Sequence, residues 1–320
     1  MTTPFSEGYL TQPYVTVAEF RSAPTWLDTQ DLVPEGTQPQ QDGELFNTLL
    51  KASRWADNFT NQRLGAHTAF QQVRARVDRY GTIKIYPTDV PVRSITGVAY
   101  GPDFQNLTVL TDFTQVWIEN AEGVIVSAIP YRGTWAGTLE FGMVPNAGCE
   151  IYVQIQYVAG WLSTVLSATE AAGANSLTLL DATGAQAPST PSTGLSVTLP
   201  GSTLRIWDPL VPTANTGGEE AVTVSAVNGN TVTLASPTVN THTVGSGPGG
   251  QVCVSEFPAE IHQAIITMAV ALLLREDVSG EEPFPGTPYG PATRRSGSGG
   301  TAAGLLDNAY ELLEPYRRVR

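Results

Sequence analysis

The sequence predicts an α+β protein, with a small helical core, a β-strand block and an inserted all-β sandwich or barrel module. Three stretches carry this expectation. Pro258 to Asp277 has a helical period, Phe70 to Tyr157 switches to a period of two, and residues 165–256 are rich in Thr, Ser and Gly with short alternating segments. The expected divisions are 1–164 (N-terminal helices plus the β block), 165–256 (inserted module) and 257–320 (C-terminal helices completing the core, with a Gly/Pro-rich loop at 279–300).

The Pro258 helix repeats Ile261, Ile265, Met268 and Leu272 along one face, and Ala264 and Ala271 widen it. Its apolar run, 264–274, is shorter than the roughly 18 residues that suggest a membrane span, so no membrane partner is expected. Earlier, Thr16 with Glu19 three positions on has the capping-box pattern for a short first helix. Asp42 is the expected N-cap of a second helix reaching about Arg63, with Leu45, Leu49, Ala52, Ala56 and Phe59 on one face and Trp55 beside it. Leu49, Trp55, Phe59, Ile261, Ile265, Met268 and Leu272 are therefore the expected packing residues, in the core or between subunits. The second helix should pack on the Pro258 helix despite their separation in sequence.

In the β block, Val73, Ala75 and Val77 alternate, as do Ile83 and Ile85, and then Ile151, Val153, Ile155 and Tyr157. Arg74, Arg76 and Arg79 fall between the apolar positions and read as a solvent face. Gly160-Trp161 closes the block. The inserted stretch carries six acidic residues against Arg205 alone, and Asn228-Gly229 joins two alternating runs as a type I′ hairpin would. Leu305, Leu306, Ala309, Leu312, Leu313 and Tyr316 describe a final amphipathic helix followed by Arg317, Arg318 and Arg320. Cations there suit the negative end of a helix dipole or a docking tail.

A formal charge of −13 argues against wrapping nucleic acid, which depends on clustered Lys and Arg, but suits a wall past which DNA slides without sticking. Cys149 and Cys253 stand far apart and are expected as buried free thiols. Residues 1–14 lack the basic and apolar regions of a signal peptide, so synthesis in the cytoplasm is expected. His67, His242 and His262 show no metal-ligand spacing, and His262, one residue from the apolar face of its helix, is expected as a histidine at the boundary of that face. The Gly-rich runs lack a phosphate-binding Gly-Lys-[Ser/Thr] ending, and no Gly-x-Ser-x-Gly elbow occurs. Neither an enzyme, a cofactor nor a metal is expected.

Five segments in a shared order resemble the head-tail connector adaptors of long-tailed double-stranded DNA bacteriophages. Tyr14-Val-Thr-Val-Ala-Glu-Phe20 and Leu49-Leu-Lys-Ala-Ser-Arg-Trp-Ala-Asp57 through Arg63 are similar to that family's opening helices. Pro91-Val-Arg-Ser-Ile-Thr-Gly-Val98 and Tyr157-Val-Ala-Gly-Trp161 are similar to its strand segments. The Pro258 helix with Arg275-Glu276, and Leu312-Leu-Glu-Pro-Tyr-Arg317, resemble its last two helices. The sequence departs from the family where 165–256 interrupts the strand-to-helix run, and at Leu64, where many relatives carry an aromatic.

The resemblance implies a structural virion protein of the head-tail neck, forming a homo-oligomeric ring that matches the portal's twelvefold symmetry. Its implied partners are the portal protein, a downstream head-tail connector or stopper protein, and DNA passing through the channel without sequence-specific binding. Tyr316, Arg317, Arg318 and Arg320 are then the expected portal-docking residues. The alternative is a β-rich decoration or receptor/carbohydrate-binding protein of the neck or tail, for which the insert offers the isolated Trp207 and no aromatic platform.

Overall fold

The computed structural model describes residues 10–25, 27–30, 32–78, 82–111, 116–118, 125–128, 150–188, 201–208, 219–279 and 302–318. It is α+β, with four α-helices and thirteen strands among those residues. Contacts divide the chain into two units. One is built from Met1–Gln62, Leu162–Pro188 and Leu199–Val319, and the other centres on Arg63–Trp161.

The first unit begins with α1 (Val17–Ser22), where Thr16 Oγ1 accepts the Glu19 N–H at 3.2 Å. Only this half of the expected capping box forms, because the Glu19 carboxylate reaches His262 instead. The second helix, α2 (Gln38–Thr60), starts four residues before the expected Asp42 cap. Thr37 occupies the N-cap, its N–H donating to Gln40 Oε1 at 2.8 Å, and Pro39 sits in the first turn, where its missing N–H costs nothing. Asp42, one turn in, pairs with Arg21 at 2.6 Å and so joins α2 to α1. The helix stops at Asn61, which adopts a left-handed φ of 55°.

Helix α3 (Ala259–Ser279) follows Pro258, whose carbonyl accepts the Ile261 N–H at 3.1 Å. Ile261, Ala264, Ile265, Met268, Ala269 and Ala271 are buried, and α3 packs on both α2 and α4 (Ala302–Leu313). Two helices separated by about 200 residues thus share one core, because neither apolar face is satisfied without the other. Within that core Leu49 is buried, whereas Trp55, Phe59 and Leu272 are half-buried. Residues 280–301, which hold most of the expected Gly/Pro-rich loop, lie outside the described residues, as do the side chains of Arg275 and Glu276.

Six strands of the same unit form an antiparallel sheet in the order β8-β13-β10-β11-β12-β9. These are β8 (Ser163–Val165), β9 (Ser176–Thr178), β10 (Thr203–Trp207), β11 (Glu219–Asn228), β12 (Thr231–Leu234) and β13 (Cys253–Ser255). A bridge between Leu166 and Leu179, with the Leu180 N–H donating to Val165 O at 2.9 Å, joins the two outer strands. The sheet therefore closes into a small barrel, which removes its free edges. Leu177, Leu204, Ile206, Val224, Val232 and Val254 fill the interior. Its first and last strands along the chain pair at Ser163 and Ser255, so the chain enters and leaves the barrel side by side.

The β11–β12 hairpin differs from the type I′ expectation by one residue. Asn228 pairs with Thr231, leaving Gly229-Asn230 as the turn, and of these two only Gly229 has a positive φ, of 58°. That is the type II′ requirement, glycine at the first central position.

The second unit pairs β1 (His67–Arg76), β7 (Glu150–Ala159), β3 (Val92–Gly101) and β4 (Thr108–Val109) in the order β1-β7-β3-β4. A second sheet runs β2 (Thr82–Ile85), β6 (Ile125–Ala128), β5 (Val116–Ile118). Ile151, Val153, Ile155 and Tyr157 of β7 point into a core that also takes Ile83 and Ile85 of β2. The alternation read from the sequence places Arg74 and Arg76 on the opposite, exposed face, while Arg79 lies outside the described residues. Gly160 ends β7 at φ 91°, and a Cβ there would sit 2.6 Å from the Gly65 carbonyl oxygen.

Candidate functional site

Two arrangements in the first unit bring chemistry-bearing side chains together. The first is the seat of the C-terminal segment on the end of α2. A helix end leaves carbonyls without intrahelical partners. Here the Arg318 N–H donates to Thr60 O at 2.9 Å, Asn61 Nδ2 donates to Arg318 O at 3.0 Å, and Gln62 Nε2 donates to Tyr316 O at 2.8 Å. The main chain of 316–318 is thereby strapped to α2 across roughly 250 residues of sequence.

The side chains are committed as well. Arg317 lies over the Phe59 ring at 5.4 Å, and Phe59 stacks on Tyr310 of α4 with centroids 4.5 Å apart. Arg317 also pairs with Glu314 at 3.6 Å, an exposed ion pair of small energetic weight. Burial raises the Tyr316 phenol above its ordinary pKa, and the Glu260 carboxylate on the first turn of α3 adds to the rise by charge and hydrogen bonding. Tyr316 thus connects the tail to α3 as well as α2.

Of the four expected docking residues, Tyr316, Arg317 and Arg318 stand together at this seat, and Arg320 lies outside the described residues. The structure adds Asn61, Gln62, Tyr310 and Glu260 to them. Asn61 carries a legible signal, an Asn just past a periodic helix, whereas nothing in the local sequence marks Gln62.

The second arrangement is a buried chain of polar groups. His262 Nδ1 lies 2.9 Å from Glu19 Oε1, and His262 Nε2 lies 3.0 Å from Ser255 Oγ. Ser255 Oγ also accepts the Phe257 N–H at 3.0 Å, which holds the hydroxyl in place beside Nε2. His262, in the first turn of α3, is 6 % exposed although Ala259, Glu260 and Gln263 around it are exposed, so it stands at the edge of the buried face.

This is the connectivity of a serine–histidine–acid triad. The serine, however, is 2 % exposed in a strand paired on both edges, by β8 and β10, and so lies out of a substrate's reach. What the arrangement does in the fold is pin α1, β13 and α3 to one another. Burial pushes the nearby Cys253 thiol well above its ordinary pKa, with Glu19 adding to the rise, so this free cysteine is a poor nucleophile. Cys149 lies outside the described residues.

His242 is fully buried in the barrel, 3.2 Å from Glu220 and 3.6 Å from Asp208. Glu220 also accepts the Asn240 N–H at 3.1 Å, holding a barrel loop. Among the described residues no His, Cys, Asp or Glu group has metal-site geometry, and no helix is long and apolar enough to cross a membrane. Arg205, the lone base of the insert, pairs with Glu219 on the neighbouring strand, and that hydrogen bond raises its pKa. Trp207 is half-buried.

No protein-family model matches the chain, and no curated protein does either. Among solved structures the chain aligns with one described as the neck of an empty GTA particle computed with C6 symmetry. The alignment covers 96 % of this chain and 94 % of the other, at 11 % identity and a TM-score of 0.32. A likeness of that strength carries no argument about fold or role.

Proposed function

We propose that this chain is a structural virion protein, a head-to-tail adaptor that forms a ring beneath the portal of a tailed phage and extends its DNA channel. One observation carries the reading: the separated segments that resemble the adaptor family meet in pairs. Tyr14 bonds to Asp57, its ring lies 4.9 Å from Phe257 just before α3, and the C-terminal segment straps onto the end of α2. The two strand segments are partners too, Val92 with Ala159 and Ile95 with Tyr157.

In this reading the Arg-bearing tail reaches the portal, the acidic excess keeps DNA from binding the channel wall, and no chemical step is catalysed. Deleting 316–320 is a poor test, because the main chain of 316–318 also finishes α2. The clean test replaces side chains only. Full-length protein carrying Arg317→Glu and Arg318→Glu, mixed with purified portal rings, is expected to co-sediment about tenfold more weakly than wild type, or worse, while keeping its circular dichroism spectrum. Undiminished binding rejects the tail as the docking element, and absence of wild-type binding rejects the adaptor reading.

A further inference from the structure

On the outer face of the β1-β7-β3 sheet Gln72, Arg74, Arg76, Glu150 and Gln156 are exposed. Arg74 lies over the Tyr152 ring at 4.8 Å, and Phe104 meets the same ring edge-on at 4.4 Å. Phe104 is 42 % and Val109 68 % exposed. Arg74 pairs in register with Tyr152, and Arg76, two residues on and on the same face, with Glu150. An aromatic ring held between a guanidinium and a second ring is the composition of an interface anchor, not of a solvated sheet face.

Charge selects the occupant. Residues 63–161 carry seven Lys and Arg against eight Asp and Glu, whereas the remainder of the chain has a net charge of −12. The most regular exposed acidic row among the described residues is on α4, where Asp307 and Glu311 are exposed and Glu314 follows one turn on. Positions i and i+4 of a helix stand about 6 Å apart, and same-face residues two apart on a strand about 6.8 Å. The two rows match in spacing and are opposite in sign.

We infer that the Arg74–Tyr152 face of one copy docks against the Asp307–Glu311 face of α4 in a second copy. Such a contact uses two different surfaces of the same chain, so it is heterologous and propagates from copy to copy, as a ring requires. It rests on the reading of the chain as a ring-former, and adds which surfaces meet. Being charge-assisted and exposed at its rim, it weakens with salt.

The experiment places a photo-reactive benzoylphenylalanine at Tyr152 in the full chain and irradiates a one-to-one mixture of light and isotopically heavy protein at low ionic strength. The expected product is a mixed-isotope cross-link to peptides from 302–313, lost with Arg74→Glu, lost with Glu311→Arg, and restored at least in part when both reversals are combined in one chain. Cross-links only to other segments, no intermolecular cross-link, or no rescue by the double reversal overturns the inference. Portal co-sedimentation is scored separately. Binding to portal without this cross-link sinks the proposed contact alone, and the cross-link without portal binding sinks the adaptor reading while leaving the contact standing.

Discussion

The phenolic oxygen of Tyr14 lies 3.0 and 2.9 Å from the two carboxylate oxygens of Asp57, joining the segment that enters α1 to the last turn of α2 across 43 residues. The Tyr14 N–H donates to Ser53 Oγ at 3.1 Å, one turn earlier on the same helix. A residue bonded through both main chain and side chain fixes how the chain approaches α2. Tyr14→Phe removes a hydrogen bond to a charged acceptor, so an expected loss of about 1.5 to 3 kcal/mol follows. Chemical denaturation of Tyr14→Phe, Asp57→Asn and the double variant measures it, and the pair should be non-additive.

His262→Ala removes the buried ring that faces both the Glu19 carboxylate and the Ser255 hydroxyl, leaving two buried polar groups short of a partner. The expected cost is about 1 to 3 kcal/mol, measured by chemical denaturation. A serine-directed fluorophosphonate is expected to leave Ser255 unmodified in the folded chain. Labelling at Ser255, read by peptide mass, would support an enzymatic role.

Gly160 and Gly173 both adopt positive φ, 91° and 85°, but differ in surroundings. A Cβ at position 160 would run into the carbonyls of Leu64 and Gly65, whereas at 173 nothing lies within 4 Å. Gly173→Ala should therefore cost about 1 kcal/mol of backbone strain alone, and Gly160→Ala about 3 kcal/mol or more. Thermal melts of the two variants compare them directly.

Burial raises the phenol of Tyr157 above its ordinary pKa, the largest cause, while hydrogen bonds from Thr88 and the Asp89 backbone oppose the rise. An acid whose folded pKa is raised keeps its proton longer in the native state than in the unfolded chain. Its contribution is thus fully present below the unfolded tyrosine value of about 10 and is lost as pH climbs toward the folded value. Tyr157→Phe should flatten the fall in stability above about pH 10, measured by denaturant midpoints across that range.

Much of this architecture is legible in the sequence because apolar periodicity reports which face is buried. Ile151, Val153, Ile155 and Tyr157 alternate in the sequence and enter one core. Ile261, Ile265 and Met268 likewise share a buried stripe. The hairpin turn sits one residue from its expected place because Asn228-Gly229 and Gly229-Asn230 are both acceptable turn pairs, and register is settled by strand pairing rather than by the dipeptide. The seat of the tail is half legible. Its arginines stand out as charge, but Gln62 acts through a contact spanning 254 residues and Glu260 from a neighbouring helix, which no local pattern encodes. The contact of His262 with Glu19 is not legible in the sequence, because Glu19 comes from α1, far away along the chain.

The adaptor reading is tested most directly by the position of this chain in an image reconstruction of an intact particle. It predicts a ring of copies between portal and the next connector, encircling the DNA channel, with residues 316–320 directed at the portal. Copies on the capsid exterior, at the tail tip, or absent from the particle would contradict it.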